Sequence, residues 1–287
     1  MQSTGASGVV SAGRRPVRRI QPSRGLVPVS LGELWRYHEL LYYLVWREIK
    51  ARYKQTYLGI GWAVLRPLVL MVVFAAIFGG LAGIDSGTGA PYPLFLYAGL
   101  LPWTYFQSAV TAGSLSLLNN GPLISKAYFP RLYAPLASVC TPLVDFALGL
   151  VVMLGLFAWY KEPPSWHVVA LPLFLLLGLA VALGVGLWVA GAAVRYRDVG
   201  FALPFVAQVW MYLTPVVYPV SLVPPRFHWL LALNPMTAVV EGTRWSLIGK
   251  PPPSAGALLA GVAVTAFLVV SGLFLFRRTE RTIVDLI

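Results

Sequence analysis

The chain has 287 residues, of which 58% are hydrophobic and only 11% charged, less than half the share of a soluble domain. Its mean hydropathy of +0.73 excludes an ordinary soluble fold and points to a polytopic membrane protein. The net charge of +12 invites a nucleic-acid reading, but the cations gather before the first apolar run and between later ones. That pattern fits cytoplasmic flanks facing anionic lipid.

Residues 1–29 are rich in Gly, Ser, Pro and Arg and read as a disordered cytoplasmic tail. Arg14-Arg15 and Arg18-Arg19 resemble a twin-arginine signal, but no apolar core with a cleavage site follows. Residues 30–56 read as an amphipathic interface helix. On a 3.6-residue period Leu31, Leu34, Trp35, His38, Leu41, Tyr42, Val45 and Ile49 share one face. Arg36, Glu39, Arg47, Lys50 and Lys54 share the other, which turns toward water, while Arg52 falls on the apolar side.

Residues 57–280 read as a domain of six transmembrane helices, followed by a charged cytoplasmic tail at 281–287. The first span runs from Leu58 through Phe78 with Arg66 as its one charge, close to the ~20 residues that cross hydrocarbon. The second, Leu94 to Leu118, carries Pro102, where a kink or break is expected. The third covers Ala134 to Trp159 and ends at a tight outer turn, Lys161-Glu162-Pro-Pro. The fourth runs from Val168 to Val194, the fifth from Gly200 to Val220, and the sixth from Ala255 to Phe276. Between spans five and six, His228–Leu233 and Met236–Ile248 are bounded by prolines and too short to cross. They read as an outer re-entrant hairpin, tolerable only where protein or water satisfies the broken backbone. An even number of crossings, with the basic flanks inside, places both termini in the cytoplasm.

The three histidines, His38, His167 and His228, lie in separate segments without metal partners at helical spacing. Cys140, the one cysteine, permits no internal disulfide and reads as a small core residue. Gly242 and Gly249 before Lys250 do not make a phosphate loop: six residues separate them where the motif needs four, and Pro251 stands where Ser or Thr would meet magnesium. Asp145 is the one acid deep in a span and should face the bundle interior with a partner, Arg66 being nearest in depth. A structural pair and a proton or ion relay both fit it. Phe201, Phe205, Gln208 and Tyr212 recur at spacings of four, three and four on one face of the fifth span. That stripe fits core packing or a path for a ligand with apolar faces and polar edges, such as a sugar.

Several blocks together resemble the membrane subunit of type 2 ABC exporters, in the branch that moves O-antigen, capsule or teichoic-acid polymers. They are Thr56–Trp62 to Arg66-Pro67, Leu123–Arg131 to Pro135, Arg195–Asp198 with Val199, and Tyr212–Pro219 followed by Asn234-Pro235-Met236. The order and spacing of the blocks carry the resemblance, which covers residues from about 30 to 280.

The resemblance implies a homodimer in the cell inner membrane, exporting a lipid-linked polysaccharide with energy from separate ABC ATPase subunits. It implies that ATP and Mg belong to those subunits and that this chain has no cofactor, no metal, no catalytic residue and no nucleic-acid partner. Trp62, Arg66, Phe201, Phe205, Gln208 and Tyr212 would line the substrate path. Trp229, Asn234, Pro235, Met236, Glu241 and Arg244 would form an outer gate. Trp35, Arg47, Lys50, Lys126, Phe129, Arg131, Arg195 and Asp198 would couple to the ATPase. The rival readings are an exporter of a drug or small lipid and an integral-membrane glycosyl- or acyltransferase. The enzyme reading needs convergent acids, histidines or metal ligands, and the sequence offers none.

Overall fold

Tyr92–Asn119 is the helix around which the others pack, and its sequence shows why. From Leu94 to Trp103 every residue is buried, including Leu, Phe, Tyr and Trp side chains together with the small Ala98 and Gly99. A helix that is apolar all round is satisfied only when it is surrounded. The computed structural model describes residues 38–54, 61–121, 123, 130–196, 198–249 and 252–283, all within one compact unit.

The elements in chain order are α1 (His38–Tyr53), α2 (Gly61–Phe74) continuing as a π-helix (Ala75–Leu81), α3 (Tyr92–Asn119), α4 (Tyr133–Cys140) and α5 (Leu143–Tyr160). A 3-10 turn (Trp166–Ala170) then leads into α6 (Leu171–Arg195), followed by α7 (Val199–Leu213), α8 (His228–Leu233), α9 (Pro235–Ile248) and α10 (Ala255–Ile283). No strand occurs among the described residues. Among the described residues four helical stretches are long and apolar enough to cross a membrane: Gly61–Leu81, Tyr133–Tyr160, Trp166–Arg195 and Ala255–Thr279; Val199–Leu213 is a shorter apolar helix.

Helix α3 packs against α2, α4, α5, α6, α7 and α9, and α6 packs in turn against α10. Small residues allow the close approach, as is common between membrane helices. A Cβ on Gly186 of α6 would lie 3.6 Å from the Gly113 backbone of α3, and one on Gly184 would lie 3.0 Å from Leu268 of α10.

Four boundaries differ from the sequence expectation. Helix α3 runs on through Pro102 without a break, because helices on several sides hold it. The third apolar stretch is interrupted at Thr141–Pro142, between α4 and α5. Helix α7 ends at Leu213 and not at Val220; Pro215 disfavours helix at Thr214, and Val216, Val217 and Tyr218 lie in turns and bends before a 3-10 turn at Val220–Leu222. Helix α10 extends past Phe276 to Ile283. The turn after α5 is as tight as expected. Lys161 takes a left-handed conformation (φ 57°), and the amides of Lys161 and Glu162 return to the Ala158 and Phe157 carbonyls. Cys140 is half-buried at the end of α4, not deep in the core.

Candidate functional site

Helix α1 docks on the rest of the chain through the side that carries Leu44 and Glu48. Its buried residue is Leu44, 1% exposed, whereas Tyr42 and Tyr43 are 72% and 63% exposed. Glu48 anchors this side. Its carboxylate accepts hydrogen bonds from Ser138 (2.9 Å), Thr141 (3.2 Å) and Asn120 (3.4 Å). Arg47, expected on the water face, instead donates to the Asn120 side-chain carbonyl. Lys50 does stay exposed, 5.2 Å from the Trp46 ring centre. A 660 Å³ cavity opens here, lined by Arg47, Glu48, Arg52, Asn120, Ser138 and Thr141 among others.

Asp145 lies in the first turn of α5. Its partner is Arg52, at 2.6 Å, together with a hydrogen bond from the Tyr53 hydroxyl. Arg66 is exposed elsewhere on α2 and does not make that pair. Arg52, the cation on the apolar face of α1, meets its acid in the first turn of α5 instead. Burial, then the hydrogen bond and charge of Asp145, push the Tyr53 hydroxyl above the usual phenol range, with Arg52 opposing.

The stripe on α7 is at the surface of the chain. Phe201 is 84% exposed, Phe205 71% and Tyr212 49%, while Leu203, Ala207 and Met211 form the buried face. Gln208 is exposed among them and reaches the Tyr212 hydroxyl at 3.5 Å. Packing within the chain is therefore not what the stripe does. Trp62 of α2 is exposed as well, at 56%.

The residues expected at the outer gate divide into a surface part and a buried part. Trp229 is exposed on α8. Asn234 caps α9, its side-chain carbonyl accepting from the Met236 amide and from Trp210 Nε1, both at 3.1 Å. Its amide nitrogen donates to Thr214 at 2.8 Å, so one side chain ties the start of α9 to the end of α7. Pro235 and Met236 are buried, as is Arg244, which is paired with Glu241 at 2.8 Å.

Of the residues expected to couple, Arg195 and Asp198 are exposed between α6 and α7, and Arg131 is half-buried just before α4. Trp35, Lys126 and Phe129 lie outside the described residues. Among the described residues no cluster of His, Cys, Asp or Glu could hold a metal ion. Sequence reasoning missed Glu48, Asn120, Ser138 and Thr141. The signal for Glu48 is an acid between Arg47 and Lys50, in the basic C-terminal half of α1.

Residues 39–248 match the family described as ABC-2 type transporter. The chain is 34% identical over 253 residues to the O-antigen export system permease protein RfbA of Myxococcus xanthus, covering 86% of this chain and 96% of that protein. It is 27% identical over 216 residues to a protein of the same name from Klebsiella pneumoniae, covering 75% and 81%. It is also 24% identical over 247 residues to the polysialic acid transport protein KpsM of Escherichia coli, covering 82% and 91%. A surrounded central helix, several apolar helices of spanning length and a family match across most of the chain agree, and the chain belongs to the ABC-2 type transporter family.

Proposed function

We propose that the chain is the permease subunit of an ABC exporter that moves a lipid-linked polysaccharide, such as O-antigen, across the cell inner membrane. The geometric observation that carries this reading is the α7 face. Three aromatic rings and a glutamine stand exposed at helical spacing on an otherwise apolar protein. Ring faces suit the apolar faces of sugars, and Gln208 and the Tyr212 hydroxyl suit their polar edges. The likeness to O-antigen export permeases, along 96% and 81% of their lengths, supports the cargo class.

In this reading the working unit is a homodimer in which α7 and α2 of the two copies enclose the path. Each copy crosses six times with both termini in the cytoplasm. Helix α3 is the second span, and α7 with the non-helical segment after it makes the fifth. At 15 residues, α7 is only about 22 Å long and needs that extension to reach across ~30 Å of hydrocarbon. Helices α8 and α9 form the re-entrant outer hairpin. The ATPase, with its ATP and Mg, is a separate subunit docking on the side of α1 and of Arg195.

The test is reconstitution of the chain with its ATPase in liposomes carrying a fluorescent lipid-linked polysaccharide. ATP-dependent appearance of the sugar at the far face is expected. Transport of a drug or of an unglycosylated lipid in its place would overturn the cargo assignment. ATP hydrolysis by the purified chain alone would overturn the division of labour.

A further inference from the structure

Where α7 stops, the chain runs from Thr214 to Pro219 without helical structure. In apolar surroundings the carbonyls of such a stretch need donors from the protein. Two of them are served by one side chain from another helix. Arg244 of α9, 2% exposed, donates Nη1 to the Pro215 carbonyl at 2.6 Å and Nη2 to the Val216 carbonyl. Its Nε donates to the Phe95 carbonyl of α3 at 3.3 Å. Glu241 meets its charge at 2.8 Å, and the guanidinium lies 3.7 Å from the centre of the Phe95 ring. Tyr92 of α3 supplies the next carbonyl, that of Val217, at 2.5 Å. Gly99 leaves the room: a Cβ there would lie 2.5 Å from Nη2 and 2.8 Å from the Val216 oxygen.

We propose that Arg244 is a positioning residue for transport, joining the end of α7 to α3 and α9 and so setting how the α7 aromatic face is presented. The inference rests on the reading of that face as the cargo path. The link from clamp to face is short. Tyr218, next after the held carbonyls, donates its hydroxyl to the Tyr212 carbonyl at 3.1 Å, and Asn234 holds Thr214 from the other side. The end of α7 therefore moves with α3 and does not slide past it. Arginine is needed for its chemistry. Its planar fork carries five donors in fixed directions, whereas a lysine ammonium can sit beside Glu241 but cannot serve three carbonyls on two separate segments.

The experiment uses the full chain with its ATPase in lipid nanodiscs, as wild type, Arg244→Lys, Gly99→Ala and Glu241→Gln. Hydrogen exchange is measured along the chain, and polysaccharide export is measured per folded complex in liposomes. In Arg244→Lys the amides of 216–218 should exchange roughly tenfold faster while α3 and α6 keep their protection. Export per complex should fall about tenfold with them. Gly99→Ala, which pushes on the guanidinium, should give the same local signature. Glu241→Gln keeps the carbonyl bonds and should exchange like wild type over 214–218.

Wild-type export from Arg244→Lys would overturn the proposal. So would protection lost evenly over α3, α6 and α9 with normal export per folded complex, or failure of both Arg244→Lys and Gly99→Ala to fold, since either makes Arg244 a packing residue. If the wild type exports no polysaccharide while local exchange still rises in Arg244→Lys, the cargo reading fails and the clamp stands.

Discussion

The carboxylate of Asp145, in the first turn of α5, sits 2.6 Å from the guanidinium of Arg52 in the last turn of α1. With Tyr53 donating to the same carboxylate, the C-terminal end of α1 is latched to the break between α4 and α5. The side chains are 37% and 18% exposed for Arg52 and Asp145, so water screens the pair and its net worth is modest, on the order of 1 kcal/mol.

Asp145→Asn should therefore leave a folded protein, destabilised by about 1 kcal/mol. The double exchange Arg52→Asp with Asp145→Arg should recover part of the loss. Thermal unfolding of the four proteins in one detergent forms the cycle. Additive losses in the two single variants, with no recovery in the exchange, would show that the pair contributes nothing.

Glu48 should matter more. Glu48→Ala leaves Ser138, Thr141 and Asn120 without their shared acceptor and should cost about 1–3 kcal/mol. Glu48→Gln keeps one acceptor oxygen and should cost less. Limited proteolysis between α1 and α2 reads the release of α1 directly, and equal cleavage in all three proteins would count against the docking role.

Tyr53 gives a pH dependence. Its hydroxyl is held above the ordinary phenol value of ~10, by burial first and by Asp145 next. The folded state thus keeps this proton more tightly than the unfolded chain does. The contribution to stability is complete below the unfolded value and declines as pH rises from there toward the folded value. Stability should fall more steeply above pH ~10 in the wild type than in Tyr53→Phe. Parallel curves would remove this tyrosine from the account.

Alanine at Phe201, Phe205 and Tyr212 tests the exposed face of α7. Because these rings are not packed within the chain, each change should alter subunit stability by no more than about 0.5 kcal/mol. Export by the triple variant should nonetheless fall well below wild type. A folded triple variant that exports normally would leave the stripe as lipid-facing surface.

Arg195 is exposed at the end of α6, so reversing its charge should not disturb folding. Arg195→Glu should insert normally and retain less ATPase on co-purification than the wild type, with the difference narrowing at high salt as the charges are screened. Unchanged retention would move the docking surface elsewhere.

Some of this architecture is legible in the sequence because the signals are local. Asn234-Pro235 is at once a stop, a cap and a first helical residue, and the helices on either side begin and end within one residue of expectation. The end of α7 was harder. Thr214-Pro215 carries a stop signal, but the apolar residues up to Val220 conceal it, since hydrophobicity reports surroundings and not backbone conformation.

Partners distant in sequence were not legible. Arg244 meets acceptors 149 and 29 positions away, and no periodicity predicts that meeting. The docking of α1 is illegible for a related reason: periodicity sorts apolar from charged residues, but it does not show that Ser138 and Thr141, 90 and 93 positions away, would meet Glu48.

The seam between α1 and α4 has a consequence for how force can pass through it. Separating two greasy surfaces exposes hydrocarbon to water, and that penalty keeps most helix pairs closed. Here the surfaces that part would show a carboxylate, two hydroxyls, an amide and a guanidinium, all of which water solvates at once. A cavity already stands beside them. The first helix is thus held to its neighbour largely by polar groups that water can replace, with Leu44 the buried apolar exception.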